Sequence, residues 1–109
     1  MSLSRFANVI ATNAAKILGL YPKKGVIQIG SDADLVLLDP TVRKPISLDI
    51  LHAESDYSIW EGFECRGYPI MTLLRGKVIV EDEKLVGDPE DGRWISRRVG
   101  ADVTGRTAL

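Results

Sequence analysis

The feature that most constrains this chain is a run of four apolar residues, Leu35-Val36-Leu37-Leu38, between two groups of turn-forming residues. Glycine, serine and aspartate precede the run, and Asp39-Pro40 follows it. A short apolar run bounded in this way predicts a β-strand that ends where proline interrupts the ladder. Because every side chain in the run is apolar, we expect the strand to be covered on both faces. A surface strand is therefore not expected here.

The first part of the chain follows a helical period instead. Apolar residues recur at intervals of three and four from Ser4 to Leu18, which indicates one buried helix face. Thr12 and Asn13 interrupt this pattern, and both are residue types that cap helix N-termini. The sequence therefore predicts two short consecutive helices, the second ending at Gly19, which adopts the left-handed conformation of a C-cap without steric cost.

The rest of the chain is predicted to form short strands. One strand is predicted at residues 26–29 and another near residues 46–48, and the remainder of residues 41–68 is predicted to be mostly loop. A meander follows, with three strands at residues 70–74, 77–80 and 84–86 and with turns at Arg75-Gly76 and Asp82-Glu83.

Length, charge and cysteine content narrow the class of protein. A chain of 109 residues holds one small domain and cannot house a barrel enzyme. Fourteen lysines and arginines balance fifteen aspartates and glutamates without a basic stripe, so nucleic acid is not an expected partner. The lone Cys65 excludes an intramolecular disulfide and a multi-cysteine zinc site, which fits a reducing cytoplasm. No apolar run approaches the roughly 20 residues of a membrane helix, so no membrane partner is expected.

Several polar side chains could carry chemistry, and each has a plainer interpretation. Asp32 and Asp34 could act as acid and base or bind a metal, but their position between glycine and a strand favours turn-forming aspartates that bond nearby amides. His52, the only histidine, has no second histidine or cysteine at ligand spacing, which favours a structural or exposed role. Cys65 beside Arg66 could be an activated thiolate, but no histidine base is close in sequence.

The aromatic residues and the glycines give no sharper signal. Trp60-Glu61-Gly62-Phe63 and Trp94 could stack on a ligand, but such residues more often fill a small core or an interface. The glycines stand at turns and form no phosphate-binding or dinucleotide pattern. The residues alone therefore predict a domain of helices followed by strands, with no catalytic constellation.

Two blocks of sequence carry a family resemblance. The first is Asn13-Ala14-Ala15-Lys16-Ile17-Leu18-Gly19-Leu20-Tyr21-Pro22-Lys23-Lys24-Gly25, followed by Gly30-Ser31-Asp32-Ala33-Asp34-Leu35-Val36 and Asp39-Pro40. The second is Tyr57-Ser58-Ile59-Trp60-Glu61-Gly62, then Leu73-Leu74-Arg75-Gly76-Lys77-Val78-Ile79-Val80-Glu81-Asp82. Together they resemble the C-terminal end of dihydropyrimidinases and hydantoinases, which are cyclic amidohydrolases. The first block also resembles the wider superfamily, and Ala14 departs from the proline that is usual in the family.

The resemblance implies a mainly β fold with an N-terminal helix or helices. It implies a partial β-sandwich, of the composite-domain type of ureases and amidohydrolases, that lacks the TIM barrel. In these terms residues 4–22 are the helical segment that ends the barrel, residues 23–95 are the β-rich partial sandwich, and residues 96–109 are a C-terminal tail.

The resemblance also implies that the chemistry lies elsewhere. In the family, histidines, an aspartate and a carboxylated lysine of the barrel hold two divalent metals, typically zinc, and a bridging hydroxide attacks the ring amide. Those ligands resemble motifs upstream of this sequence, so no catalytic, metal or cofactor residue is carried over. The chain alone is predicted to be inactive.

The expected function is a non-catalytic scaffold fragment of an enzyme that hydrolyses a dihydropyrimidine or hydantoin ring. The alternatives are a stand-alone oligomerisation or interaction module, an allantoinase-like or dihydroorotase-like parent, and a small independent enzyme using Asp32, Asp34 and His52. In the family, N-terminal strands complete the sandwich. The expected partners are therefore the barrel and those strands, or a second copy bound through strand edges or the first helix.

Overall fold

The computed structural model describes residues 1–52 and 54–100 of the chain. These described residues divide into two compact units, residues 1–34 with 89–100, and residues 35–52 with 54–88. Residues 23–34, which the sequence analysis grouped with the β-rich part, belong to the first of these units.

The first unit begins with a helical stretch that contains a π-helical turn. Ser2 caps its start, since the Ser2 Oγ accepts a bond from the Arg5 amide at 3.2 Å. The predicted break before a second helix is wrong: Thr12 and Asn13 keep helical backbone angles, and the Thr12 hydroxyl donates to the Gly25 carbonyl at 2.7 Å instead of capping. The segments are α1 (Leu3–Ala7), the π-helical turn (Asn8–Thr12) and α2 (Asn13–Ile17).

The predicted end of this stretch at Gly19 is confirmed. Gly19 has a φ of +71°, and the next residue, Leu20, donates its amide to the Ala15 carbonyl at 2.8 Å. The Gly19 carbonyl accepts a bond of 2.8 Å from the Arg98 amide, which ties the start of the predicted tail to the helix end. Residues 101–109 of that tail lie outside the described residues.

The strand predicted at residues 26–29 is wrong. This segment consists of bends and turns, with the Ser31 amide bonded to the Gln28 carbonyl. The Asp32 amide donates to the Lys23 carbonyl at 2.9 Å, so the ends of the segment meet each other rather than a neighbouring strand. The β-branched residues that suggested a strand include Ile27 and Ile29, which are both exposed.

The second unit contains an antiparallel sheet with strand order β1-β2-β3-β4. Both predicted hairpin turns are confirmed: Arg75 and Gly76, and Asp82 and Glu83, all have the positive φ that primed two-residue turns require. The strands are β1 (Leu35–Pro45), β2 (Glu64–Leu74), β3 (Lys77–Glu81) and β4 (Lys84–Leu85).

Three elements differ from the predictions around the middle of the chain, and one of them is β2, which begins at Glu64, inside the stretch predicted to be mostly loop. β1 continues past Pro40 to Pro45, because the proline falls in an irregular stretch where the register shifts between Asp39 and Arg43. The strand predicted near residues 46–48 is absent, and a short helix, α3 (Leu48–Leu51), follows β1 instead. The β1–β2 ladder therefore accommodates Pro40 by leaving it without a cross-strand partner.

Residues 35–38 were expected to be buried on both faces of the strand, but the described residues do not bury them. Val36 is 60% exposed, and Leu37 and Leu38 are each 42% exposed. Within Leu35–Asp88 one sheet is assigned, and among the described residues Ala15 of the first unit is the one buried hydrophobic residue. No helix in residues 1–52 and 54–100 combines the length and apolarity needed to cross a bilayer.

Candidate functional site

A lysine joins the two aspartates of the turn that precedes β1. The Lys24 Nζ lies 2.8 Å from the Asp32 Oδ2 and also contacts the Asp34 Oδ2. Lys24 keeps 16% and Asp32 19% of its side-chain surface, so both are partly buried, whereas Asp34 keeps 31% and belongs to the exposed residues. Solvent therefore screens the Lys24–Asp32 pair less than it screens a fully exposed pair.

The pKa of Lys24 reflects this surrounding. Burial acts to lower the pKa, because it penalises the charged form. The hydrogen bonds and charges of Asp32 and Asp34 outweigh burial and raise the pKa above the ordinary value of 10.5. Lys24 is therefore a fixed cation at neutral pH and not a poised base.

The two aspartates do not fit a metal centre. Their carboxylates already share an ammonium group, and the residues that the structure describes include no group of three or more histidine, cysteine or carboxylate side chains able to hold a metal ion. The zinc pair of the resembled enzymes therefore does not fit these residues, and we derive no step through it.

His52 lies in a separate cluster at the β3–β4 turn of the second unit. Its Nε2 is 2.7 Å from the Glu83 backbone oxygen, and the Glu83 carboxylate contacts Lys44 of β1. Lys44 Nζ also lies 3.4 Å from the centre of the Tyr68 ring. His52 was predicted to be structural or exposed; its side chain is exposed, and its ring bonds the β3–β4 turn at the Glu83 backbone oxygen.

Cys65 opens onto a groove at the start of β2. The groove has a volume of about 580 Å³ and is lined by Ile46, Trp60, Phe63, Glu64, Cys65 and Arg66. The Cys65 thiol donates to the Gly67 carbonyl at 3.1 Å. A bond to its own strand fits the plain, partly buried thiol that the sequence favours over a nucleophile.

Trp60 of the second block and the nearby Phe63 lie at this groove. Trp60 and Phe63 meet edge to face, with ring centres 5.9 Å apart, and both are more than half exposed. Trp94, in the other unit, is 88% exposed. These side chains fill no core in the described residues.

Sequence reasoning missed the lysines that organise both polar clusters. Lys24 was part of a family block without a role, and Lys44 was not singled out. Spacing along the chain could not reveal Lys44, whose partner Glu83 is 39 residues away. A lysine ten residues before an aspartate carries no local pattern either, because neither helix nor strand periodicity links such positions.

Comparison with known proteins extends the family resemblance. A model described as "Amidohydrolase family" matches residues 1–79. The D-hydantoinase of Ralstonia pickettii is 46% identical over 98 residues, which are 90% of this chain and 21% of that protein. The dihydropyrimidinase of Rattus norvegicus is 42% identical over 102 residues, which are 94% of this chain and 20% of that protein.

A solved structure shows the same relationship in three dimensions. The dihydropyrimidinase from Brevibacillus agri superimposes with a TM-score of 0.88 at 40% identity, over 93% of this chain and 22% of its own. The chain thus spans about a fifth of the length of the relatives it matches.

Proposed function

The chain belongs to the amidohydrolase family, and we propose that it is the non-catalytic C-terminal scaffold of a metal-dependent hydrolase acting on cyclic amide C–N bonds. The proposed ring class is dihydropyrimidine or hydantoin. The observation that carries this proposal is an alignment that covers nine-tenths of this chain but only a fifth of a D-hydantoinase.

The exposed apolar residues of β1 support a scaffold role. Burying a leucine or valine side chain stabilises a fold by about 1.5–3 kcal/mol. Much of this stabilisation is missing here, because Val36, Leu37 and Leu38 remain exposed. Successive side chains of a strand point to opposite faces, so the second layer of a β-sandwich would cover only those on one face of β1. We propose that the remainder of such an enzyme supplies that layer, together with the barrel and its metals.

The first experiment assays the chain by itself. Purified chain is incubated with hydantoin or dihydrouracil and added zinc or manganese, and ring opening is measured. No turnover is expected, because the polar clusters around Lys24 and Lys44 are structural ion pairs. Turnover that copurifies with the chain and disappears in the His52→Ala or Asp34→Ala variant would revive an independent enzyme.

The second experiment supplies the missing part in trans. A D-hydantoinase from which the matching fifth has been deleted is co-expressed with this chain, and complex formation and hydantoin hydrolysis are measured. Leu37→Asp on β1 should abolish binding, whereas Leu85→Asp on β4, at the opposite edge of the sheet, should leave it intact. Equal binding by both variants would contradict the proposed docking face.

Assays of the same complex with different ring substrates distinguish between the candidate parent enzymes. Allantoin and dihydroorotate are assayed beside hydantoin and dihydrouracil. The matched relatives named as hydantoinases and dihydropyrimidinases favour the last two rings. A cytoplasmic location is also proposed, supported by a single cysteine that cannot form an intramolecular disulfide.

We further propose that the isolated chain associates with itself when no remainder is present. The strand edges and the first helix are the proposed contacts, since an unpaired strand edge is a template for another chain. A sedimentation coefficient that does not change with concentration, with well-dispersed amide signals, would contradict this.

A further inference from the structure

The last described segment of the first unit packs directly on the end of the helical stretch. Residues 92–100 form neither helix nor strand, yet the Arg98 amide donates to the Gly19 carbonyl at 2.8 Å. A Cβ added to Gly19 would lie within 2.6 Å of the Arg98 carbonyl carbon and oxygen and of the Val99 nitrogen. The Arg98–Val99 peptide group therefore packs against the Gly19 Cα, and only glycine permits this approach.

Two adjacent arginines precede this peptide bond. Arg97 and Arg98 are both exposed, so their guanidinium groups are accessible from solvent. An arginine side chain is the recognition element of endopeptidases whose specificity pocket contains a carboxylate, as in trypsin. Such an enzyme cleaves the bond that follows the arginine, which for Arg98 is the bond to Val99.

The contact with Gly19 covers the atoms that a protease attacks. A serine protease adds its nucleophile to the scissile carbonyl carbon and binds the carbonyl oxygen in an oxyanion hole. Those two atoms of Arg98 pack on Gly19, and the Arg98 amide is already bonded to the Gly19 carbonyl. The segment must therefore leave Gly19 before this peptide bond can enter an active site.

We propose that the Arg98–Val99 bond is a cleavage site for an endopeptidase specific for basic residues, and that packing on Gly19 keeps this site covered. Hydrolysis adds water across the bond. The hydroxyl joins the Arg98 carbonyl carbon, a hydrogen joins the Val99 nitrogen, and transfer of the acid proton leaves a carboxylate and an ammonium group. Local opening of the segment controls the rate of cleavage. This site goes beyond the proposed scaffold function and does not depend on it.

Limited trypsin digestion of the full chain, followed by mass spectrometry, tests whether the site is covered. Cleavage after Arg93 is the internal reference, because Trp94, which follows it in the same irregular segment, is 88% exposed. Each initial rate is divided by the rate for a synthetic peptide of residues 90–104, which has no helix to pack on. Cleavage after Arg98 should then be at least about tenfold slower than cleavage after Arg93, because it requires opening. Equal normalised rates would overturn the proposal.

Two glycine variants distinguish the contact from general destabilisation. Gly19→Ala places a Cβ against the Arg98–Val99 peptide group, so it should speed cleavage after Arg98 at least about tenfold. Gly30→Ala introduces the same residue at a similarly positive φ, +91° against +71°, but its Cβ meets nothing within 4 Å. It should change that rate by no more than about twofold. An equal acceleration in both variants would assign cleavage to general unfolding and contradict the covered site.

Hydrogen exchange of the Arg98 amide provides a readout on the unaltered chain and decides the matter if Gly19→Ala does not fold. The opening equilibrium measured at this amide should account for the slower cleavage after Arg98 to within about threefold. An amide protected far more strongly than the peptide bond would mean that the protease acts while the segment stays on Gly19. That result would also overturn the proposal.

Discussion

Lys24 binds both Asp32 and Asp34, with its Nζ 2.8 Å from the Asp32 carboxylate. One cation thereby closes the segment between residues 24 and 34, which has no sheet partner of its own. The carboxylates that looked most like acid and base groups in the sequence are therefore a structural clamp.

Removing the clamp cation should open this segment. In Lys24→Met, the Asp32 and Asp34 carboxylates lose this ammonium partner, and because solvent still reaches the pair we expect a loss of about 1 kcal/mol. Hydrogen exchange of the Asp32 amide reports the local free energy of opening. Lys23→Met, which makes the same change at an exposed neighbour, should stay within about 0.5 kcal/mol. Similar losses in the two variants would argue against the clamp.

The clamp should also fail at alkaline pH. The pKa of Lys24 is raised above 10.5 on folding, so its contribution to stability is complete below 10.5 and is lost as pH rises through the folded-state value. Protection of the Asp32 amide, corrected for intrinsic exchange, should therefore fall above that pH. In Lys24→Met this fall should be absent. A fall of the same size in the variant would assign it to another group.

Asp39 should titrate at unusually low pH. The Thr41 hydroxyl and amide donate to its Oδ1 at 2.7 and 2.8 Å, which lowers its pKa below the ordinary 3.8 despite a small opposing effect of burial. These bonds favour the folded state above pH 3.8 and are lost as pH falls through the lowered pKa.

Carbon NMR of the Asp39 carboxyl checks this assignment. Thr41→Val removes the hydroxyl donor and should move the midpoint towards 3.8. Thr41→Ser retains the hydroxyl and should leave the midpoint in place. A midpoint that is the same in all three proteins would show that the hydroxyl bond does not form in solution.

Alanine substitutions at Gly25 and Gly30 distinguish the cost of overpacking from the cost of backbone strain. A Cβ at Gly25 would lie 2.5 Å from the Ala15 Cβ, whereas a Cβ at Gly30 would meet nothing within 4 Å. Both have a positive φ, of +81° and +91°. Gly30→Ala should cost about 1–2 kcal/mol from strain alone. Gly25→Ala should cost about 2–5 kcal/mol, because overpacking adds to the strain.

Urea unfolding followed by far-ultraviolet circular dichroism measures both variants. The difference between them, rather than either value, tests the contact between Gly25 and Ala15. Equal losses would mean that the turn at Gly25 can move away from α2 at no cost.

Local backbone requirements made part of this fold predictable. Arg75-Gly76 and Asp82-Glu83 were identified as hairpin turns because each is flanked by apolar strand residues, and both adopt positive φ. Gly19 ends its helix for a related reason. The strand expected at residues 26–29 is wrong because short runs of β-branched and aliphatic residues also occur in segments that have no partner strand.

The sequence by itself determined the turns, the helix end, the apolar strand at residues 35–38 and the family, because each depends on residues close together or on order along the chain. Only the tertiary structure decided that Asp32 and Asp34 share Lys24 and that Glu83 reaches Lys44 from 39 residues away. It also decided that Val36 has no cover in the described residues. Such contacts depend on how distant segments meet, and neither propensity nor spacing encodes that meeting.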